Sequence, residues 1–152
     1  MIRVMPRDLD RLPPGPRVRL TAEVLSTYLH VRWVMRDDDA ERAVRRLRAD
    51  ACDSEEKPEL ASESSLSEND LELLAALRLA HATRRVLEIL PSDSRCLFRS
   101  LTLMCLLERR GISQTLVLAV RPQPFAAHAW VEVEGQPVLP DADSGYERLL
   151  EL

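Results

Sequence analysis

Cys96, His128 and Asp141 are the residues of this 152-residue sequence whose types and spacing best fit nucleophilic chemistry. A thiolate can attack a carbonyl carbon, an imidazole can take and return the proton, and a carboxylate can orient the imidazole. The three residues lie in separate segments of the chain. A triad therefore depends on the elements that carry them.

Cys96 opens an apolar segment that predicts a buried helix ending at Gly111. Asp93 or Ser94 can cap this helix, which places the thiol in the first turn. There the free backbone N–H groups and the positive end of the helix dipole favour a thiolate and can hold an oxyanion. The alternative is a small buried side chain without chemistry, an interpretation that fits Cys105, in the middle of the same helix, better.

The alternation of apolar and polar residues over 127–133 predicts a strand that carries the histidine. His128, Trp130 and Glu132 would lie on one face of this strand, with the intervening alanines and valines on the other. Trp130 can then shield the neighbouring imidazole from water. A histidine on a strand is not specific by itself.

A two-residue turn at Glu134 and Gly135 decides which carboxylate reaches the imidazole. Counting outward from this turn, His128 lies opposite Asp141 on the same face of the hairpin. A carboxylate in that position fixes the tautomer of the imidazole and stabilises its charged form. Asp143 is the diagonal alternative, and the partner if the strand contains a bulge.

The remaining elements follow from hydrophobic periodicity, with helices preceding strands along the chain. The first 20 residues contain four prolines and are expected to be extended. Helices are predicted over 21–35, 38–51, 67–90 and 92–111, and strands over 114–121, 127–133 and a short stretch after the turn. The expected fold class is α+β, with a small antiparallel sheet that follows the helices.

Residues 52–68 are acidic and rich in serine, and they predict a flexible linker or loop. They lack the large apolar side chains whose burial would offset the entropy of ordering. We therefore expect a helical region over 1–51, the linker, and a catalytic core over 69–152.

Composition and charge exclude several classes of protein. A net charge of −4 argues against a nucleic-acid partner. No segment resembles a signal peptide or is long enough to span a membrane, so no membrane partner is expected. Three cysteines without a CxxC spacing fit a reducing cytoplasm, and the three histidines lie in unrelated segments, so neither a metal nor a cofactor is expected.

Two motifs in the C-terminal part of the chain carry a resemblance to a known family: CLFRSLTLMCLLERRG and LVLAVRPQPFAAHAWVEVEGQPV. They resemble the core of the B2 proteins of lasso-peptide biosynthesis, which are transglutaminase-like leader peptidases. The resemblance implies a papain/transglutaminase-like core, in which a helix bearing the cysteine precedes a small antiparallel sheet bearing histidine and aspartate. Carried over by position, Cys96 is the nucleophile, His128 the general base, and Asp141 or Asp143 the orienting acid.

The resemblance also implies a substrate and partners. Such a protein removes the leader from a ribosomally made precursor peptide, after which a partner cyclase closes the macrolactam. A separate B1 leader-recognition protein, a winged-helix module, would deliver the leader. No β-rich segment precedes the helices here, so the chain is expected to depend on a separate B1 partner.

Further residues are expected to complete the site. The oxyanion would be held by the backbone N–H of Cys96 and by a second donor, for which Ser94 and Arg95 are candidates. Arg95 is also expected to contact the substrate. Phe125 and Trp130 are expected to line the groove that receives the leader, with ordinary core packing as the alternative.

Two other functions fit the same residues. One is amide or acyl transfer on the same triad, in which an amine rather than water resolves the thioester. The other is a catalytically silent adaptor that binds a peptide by adding it to an edge strand of the sheet.

Overall fold

The computed structural model describes residues 14–36, 40–52, 68–89, 95–138 and 145–152. Within these ranges the helices are α1 (Pro14–Val34), α2 (Ala40–Cys52), α3 (Glu68–Leu87) and α4 (Arg95–Glu108). The strands are β1 (Thr115–Arg121), β2 (Ala126–Val133), β3 (Gln136–Pro137) and β4 (Glu147–Glu151). The predicted α+β class is confirmed. No helix in the described ranges is both long and apolar enough to cross a membrane.

α1 begins earlier than the sequence predicted. Residues 14–20 are helical, so the expectation of an extended segment up to residue 20 was wrong for this part. Pro14 and Pro16 lie in the first turn of the helix, where a backbone N–H has no intrahelical partner and the fixed φ of proline suits the helix. Residues 1–13 lie outside the described ranges.

α4 is the central helix, as its apolar sequence predicted. It packs against α1, α2 and α3 on its outer sides and against β2 of the sheet. Gly111 has a φ of 68°, and its N–H donates to the carbonyl of Glu108, while the N–H of Ile112 donates to that of Leu107. This pair of bonds is a Schellman motif, which ends the helix where the glycine predicted. The fully buried apolar side chains of α4 are Leu101, Leu103, Met104, Leu106 and Leu107.

The helices on both sides of residues 53–67 belong to one hydrophobic core. Val24 and Val31 of α1 and Leu47 of α2 are buried in the same cluster as the apolar body of α4. An ion pair between Arg110 and Glu23, with nitrogen and oxygen 2.8 Å apart, also joins the end of α4 to α1. Residues 53–67, which are most of the predicted linker, lie outside the described ranges.

The sheet is antiparallel, with strand order β3-β2-β1-β4. In the hairpin between β2 and β3, Val133 pairs with Gln136. Glu134 and Gly135 have φ values of 52° and 69°, the two positive angles of a type I′ turn. The predicted two-residue turn is therefore confirmed.

β4 was not predicted from the sequence. It adds to the free edge of β1, on the opposite side of the sheet from β3. The backbones of Leu116 and Leu152 exchange two hydrogen bonds, 2.7 and 2.9 Å long, at the end of this pairing. Through β4 the last part of the chain returns to the strand pair that carries the histidine.

The two faces of the sheet bury different sets of side chains. Val131 and Val133 of β2 pack in the helical core. Trp130, on the opposite face, packs with Val117 and Ala119 of β1 in a second, smaller cluster. This separation follows the alternation that the sequence predicted for β2.

Candidate active site

Cys96 is the second residue of α4, because the helix begins at Arg95. The thiol therefore lies in the first turn, as predicted, and is partly exposed. Asp93 and Ser94, the candidate caps, and the side chain of Arg95 lie outside what the structure describes. The expected role of Arg95 in binding substrate stays a prediction.

Ser100 joins the helix of the thiol to the strand of the imidazole. Its hydroxyl donates to the carbonyl oxygen of Ala129 over 2.9 Å, and the Ser100 side chain is fully buried. Ser100 lies one helical turn after Cys96 on the same face of α4, about 6 Å along the axis. Ala129 directly follows His128. The helical turn that bears the Cys96 thiol is therefore next to the turn whose Ser100 hydroxyl bonds the residue after His128.

His128 lies between two aromatic rings. Its imidazole stacks on Trp130, with ring centroids 5.8 Å apart, and tilts against Tyr146, with centroids 5.4 Å apart. Its Nε2 atom is buried and makes no hydrogen bond to any described residue. One ring nitrogen is thus shielded from water and open to a partner that the described residues do not supply.

The buried carboxylate of Glu132 binds the indole of Trp130. The Nε1–H of Trp130 donates to Oε1 of Glu132 over 2.8 Å. Glu132 is only 6% exposed, and Arg148 of β4 donates to both of its oxygens, over 2.8 and 3.3 Å. The guanidinium of Arg148 also lies 5.9 Å from the Trp130 ring centroid. A hydrogen bond to Glu151 and the charge of Glu132 raise the pKa of Arg148 above its ordinary value, so it stays cationic.

These side chains form a continuous row on the face of the sheet away from the helices. The guanidinium of Arg121 lies 5.1 Å from the centroid of Tyr146 and closes the row at the other end. Sequence reasoning missed Tyr146 and Arg148, because it did not predict β4. We call this the aromatic row; it consists of Arg121, Tyr146, His128, Trp130 and Arg148.

Phe125 and Trp130, both predicted to line a substrate groove, lie in contrasting environments. Phe125 is in the turn between β1 and β2 and is 79% exposed, next to the cis peptide bond between Gln123 and Pro124. Trp130 is 5% exposed and packs within the second cluster. The contact of both residues with substrate stays a prediction. For Trp130, most of the side chain is buried by packing, which was the alternative.

The third member of the proposed triad lies outside the described residues, since Asp141 and Asp143 both fall between 139 and 144. The hairpin nevertheless keeps its register up to Val138, whose N–H donates to the carbonyl of Val131 over 3.0 Å. The expectation that Asp141 is opposite His128 extends this same register by three residues. It stays a prediction.

Cys105 is buried, whereas Cys96 on the same helix is partly exposed. Cys105 is 2% exposed in the middle of α4. Burial raises the pKa of its thiol from 9.0 to about 12, so it is protonated at neutral pH. Cys105 is therefore a packing residue, as the sequence predicted, and not a nucleophile.

Residues 25–152 match the model of the transglutaminase-like superfamily. The chain belongs to this superfamily. The match includes the candidate nucleophile, the histidine strand and all four described strands, as well as the C-terminal part of α1. The transglutaminase-like core that the sequence motifs implied is thereby confirmed.

Among curated proteins, the transglutaminase-like chain is similar to the microcin J25-processing protein McjB of Escherichia coli. The two are 46% identical over 63 residues, which are 41% of this chain and 29% of McjB. The chain thus matches less than a third of the length of this relative. The resemblance to the B2 proteins of lasso-peptide biosynthesis is confirmed by these two matches. No solved structure matches the chain.

Proposed function

We propose that this protein is a cysteine peptidase that removes the leader from a lasso-peptide precursor. Membership of a superfamily of cysteine-based enzymes and similarity to a protein that processes microcin J25 support a processing role. The reaction is hydrolysis of the peptide bond between leader and core. It takes place in the cytoplasm, where a free thiol persists.

In the proposed mechanism Cys96 attacks the scissile carbonyl and His128 takes the thiol proton. The free N–H groups of the first turn of α4 stabilise the oxyanion. His128 then gives the proton to the leaving amine, and water resolves the thioester with the same imidazole as base. Asp141 orients the imidazole, with Asp143 as the alternative.

The observation that carries the proposal is the hydrogen bond from Ser100 to Ala129. It joins the helix of Cys96 to the strand of His128 at the residue that follows the histidine, which supports the proximity of these two segments. The imidazole itself lies in the aromatic row, on the face of β2 opposite the helical core, so its contact with the thiol is part of the proposal. The buried Nε2 of His128, which has no partner among the described residues, supports a further contact to the thiol or to a carboxylate.

The proposed partners are the precursor peptide, a separate B1 leader-recognition protein and the lasso cyclase. The matched segment of McjB covers only 29% of that protein. The partners of this chain are therefore inferred from the motif resemblance, and each needs its own test.

The test is mass spectrometry of a lasso precursor incubated with this protein and its B1 partner. One defined cut between leader and core, lost in Cys96→Ala and His128→Ala, would establish the peptidase. The matched thiol control is Cys52→Ser, which should cut normally. Comparison of Asp141→Asn with Asp143→Asn assigns the third triad member, since only one substitution should abolish the cut.

Other outcomes contradict the proposal in distinguishable ways. A leader whose C-terminal carbonyl is joined to an amine, in place of a free carboxylate, would indicate acyl transfer. Retention of the precursor–B1 complex without any cut, unchanged by Cys96→Ala, would indicate an adaptor.

A further inference from the structure

We infer that Glu132 and Arg148 are positioning residues that orient His128 through the ring of Trp130. The catalytic role of His128 in this inference rests on the proposed function. The contacts that orient its ring are those of the aromatic row and do not depend on that function. Neither residue contacts the reacting atoms, and both are remote from Cys96 in sequence. Their effect would pass through one intermediate side chain.

The first step is the fixation of Trp130. Its indole N–H has a buried acceptor in Glu132 at 2.8 Å, and its face is covered by Arg148. The same guanidinium holds both oxygens of Glu132, so carboxylate, indole and guanidinium form one closed set of contacts. Rotation of the indole would leave the Glu132 carboxylate without one of its buried donors, which is costly.

The second step is the transfer of this constraint to His128. The imidazole stacks on the fixed indole on one side and is covered by Tyr146 on the other. Tyr146 lies two residues before Arg148, so one segment supplies both the cover of the imidazole and the clamp on the indole. The ring of His128 cannot turn without displacing one of these neighbours.

The third step is the register that brings the two strands to one row. Ala119 of β1 pairs with His128 on one side and with Arg148 on the other. Its side chain is only a methyl group, which leaves room above β1 for the rings and the guanidinium to meet. A bulge between Leu118 and Ala119 sets this register of β4.

Stability alone does not account for the arrangement. The ion pair between Glu132 and Arg148 is weak evidence for stability, because solvent screens the half-exposed Arg148 and desolvation of the buried Glu132 carboxylate offsets much of the attraction. Fixing the orientation of a catalytic base does require such directional contacts, since a misplacement of about 1 Å can lower a rate roughly a hundredfold.

The experiment compares Glu132→Gln and Arg148→Gln with the wild type, all in a Cys52→Ser background. The first readout is the ¹H–¹³C spectrum of the His128 ring, whose signals are shifted by the currents of the two neighbouring rings. The second is the rate at which iodoacetamide alkylates Cys96. The matched control is Arg45→Gln, which breaks an exposed ion pair with Glu41 on α2.

We expect both variants to move the His128 signals and to slow alkylation of Cys96 about tenfold. This decrease is smaller than the roughly hundredfold loss for a base misplaced by about 1 Å, because the variants only loosen the ring of His128. Arg148→Lys should restore part of the rate, because it keeps the charge but not the two-pronged contact. Trp130→Phe, which keeps a ring but loses the indole N–H, should move the same signals if a Glu132 variant fails to fold. Arg45→Gln should change neither readout.

Unchanged ring signals and an unchanged alkylation rate in folded variants would overturn the inference. So would a lower melting temperature as the sole effect. If the wild type cuts no precursor while the variants still shift the His128 ring, the positioning role stands and only the proposed function fails.

Discussion

The Ser100 hydroxyl donates to the Ala129 carbonyl beyond the last described hydrogen bond of the β2–β3 hairpin. That last bond runs from the N–H of Val138 to the carbonyl of Val131, two residues after Ala129. The carbonyl of Ala129 points to the same side of β2 as that of Val131. The buried hydroxyl of the central helix therefore supplies a donor to a carbonyl that lies past the end of β3 as the structure describes it.

Ser100→Ala should lower both stability and activity. The substitution leaves the buried Ala129 carbonyl without this donor, a loss of about 1–3 kcal/mol in the free energy of unfolding. It also removes the bond between the helix of Cys96 and the strand of His128, so cleavage should fall further than the population of folded protein does. Chemical denaturation and cleavage assays measure the two effects.

The control for this substitution is Ser26→Ala on α1. Ser26 also donates to a backbone carbonyl, that of Glu23, but the contact is exposed. It should change stability by less than about 0.5 kcal/mol. Equal effects of the two substitutions would contradict the role given to Ser100.

Cys105 should make the protein less stable as the solution becomes alkaline. Its thiol has a pKa of about 12 in the folded protein and 9.0 ordinarily, so between these values the unfolded chain has lost a proton that the folded chain retains. Stability therefore falls as pH rises through this window, by at most about 1.4 kcal/mol per pH unit. Denaturation curves from pH 8 to 10.5 should show a steeper decline for the wild type than for Cys105→Ala.

Glu134→Asn should stabilise the hairpin. Glu134 occupies a left-handed conformation with a φ of 52°, which asparagine adopts at lower cost, and Asn-Gly is the preferred pair for a type I′ turn. We expect a gain of about 0.5–1 kcal/mol in the free energy of unfolding. Glu134→Ala is the control, and a similar gain there would show that removal of the charge, not the backbone angle, is responsible.

The two faces of α1 should respond differently to truncation. Val31 is fully buried, whereas Leu29 is 63% exposed. Val31→Ala should cost about 1–3 kcal/mol, and Leu29→Ala less than about 0.5 kcal/mol although it removes more carbon atoms. Thermal unfolding of the two variants gives the comparison, and a reversed order would mean that α1 packs through its other face.

Local sequence signals predicted the elements that local interactions determine. The central helix followed from its apolar body and its terminal Gly111, and the hairpin followed from Glu134 and Gly135 between alternating residues. The opposite faces of Trp130 and Val131 followed from the period of two along a strand. In each case the signal lies within the element itself.

The sequence predictions failed for the start of α1 and for β4, where the conformation depends on neighbouring parts of the structure. Prolines predicted an extended start, but Pro14 and Pro16 occupy a first turn in which proline is tolerated. β4 is short and charged, and its strand conformation depends on pairing with β1, about 30 residues earlier. Because Arg148 and Tyr146 belong to this part of the chain, half of the surroundings of His128 could not be predicted.

β3 and β4 are the edge strands of the sheet, and their composition affects whether molecules associate through the sheet at high concentration. β3 is two residues long and includes Pro137, which cannot donate to an added strand. β4 carries the charged side chains of Glu147, Arg148 and Glu151. Short, proline-bearing or charged edges resist pairing between molecules, so self-association through the sheet is disfavoured and solutions concentrated enough for spectroscopy should remain monodisperse.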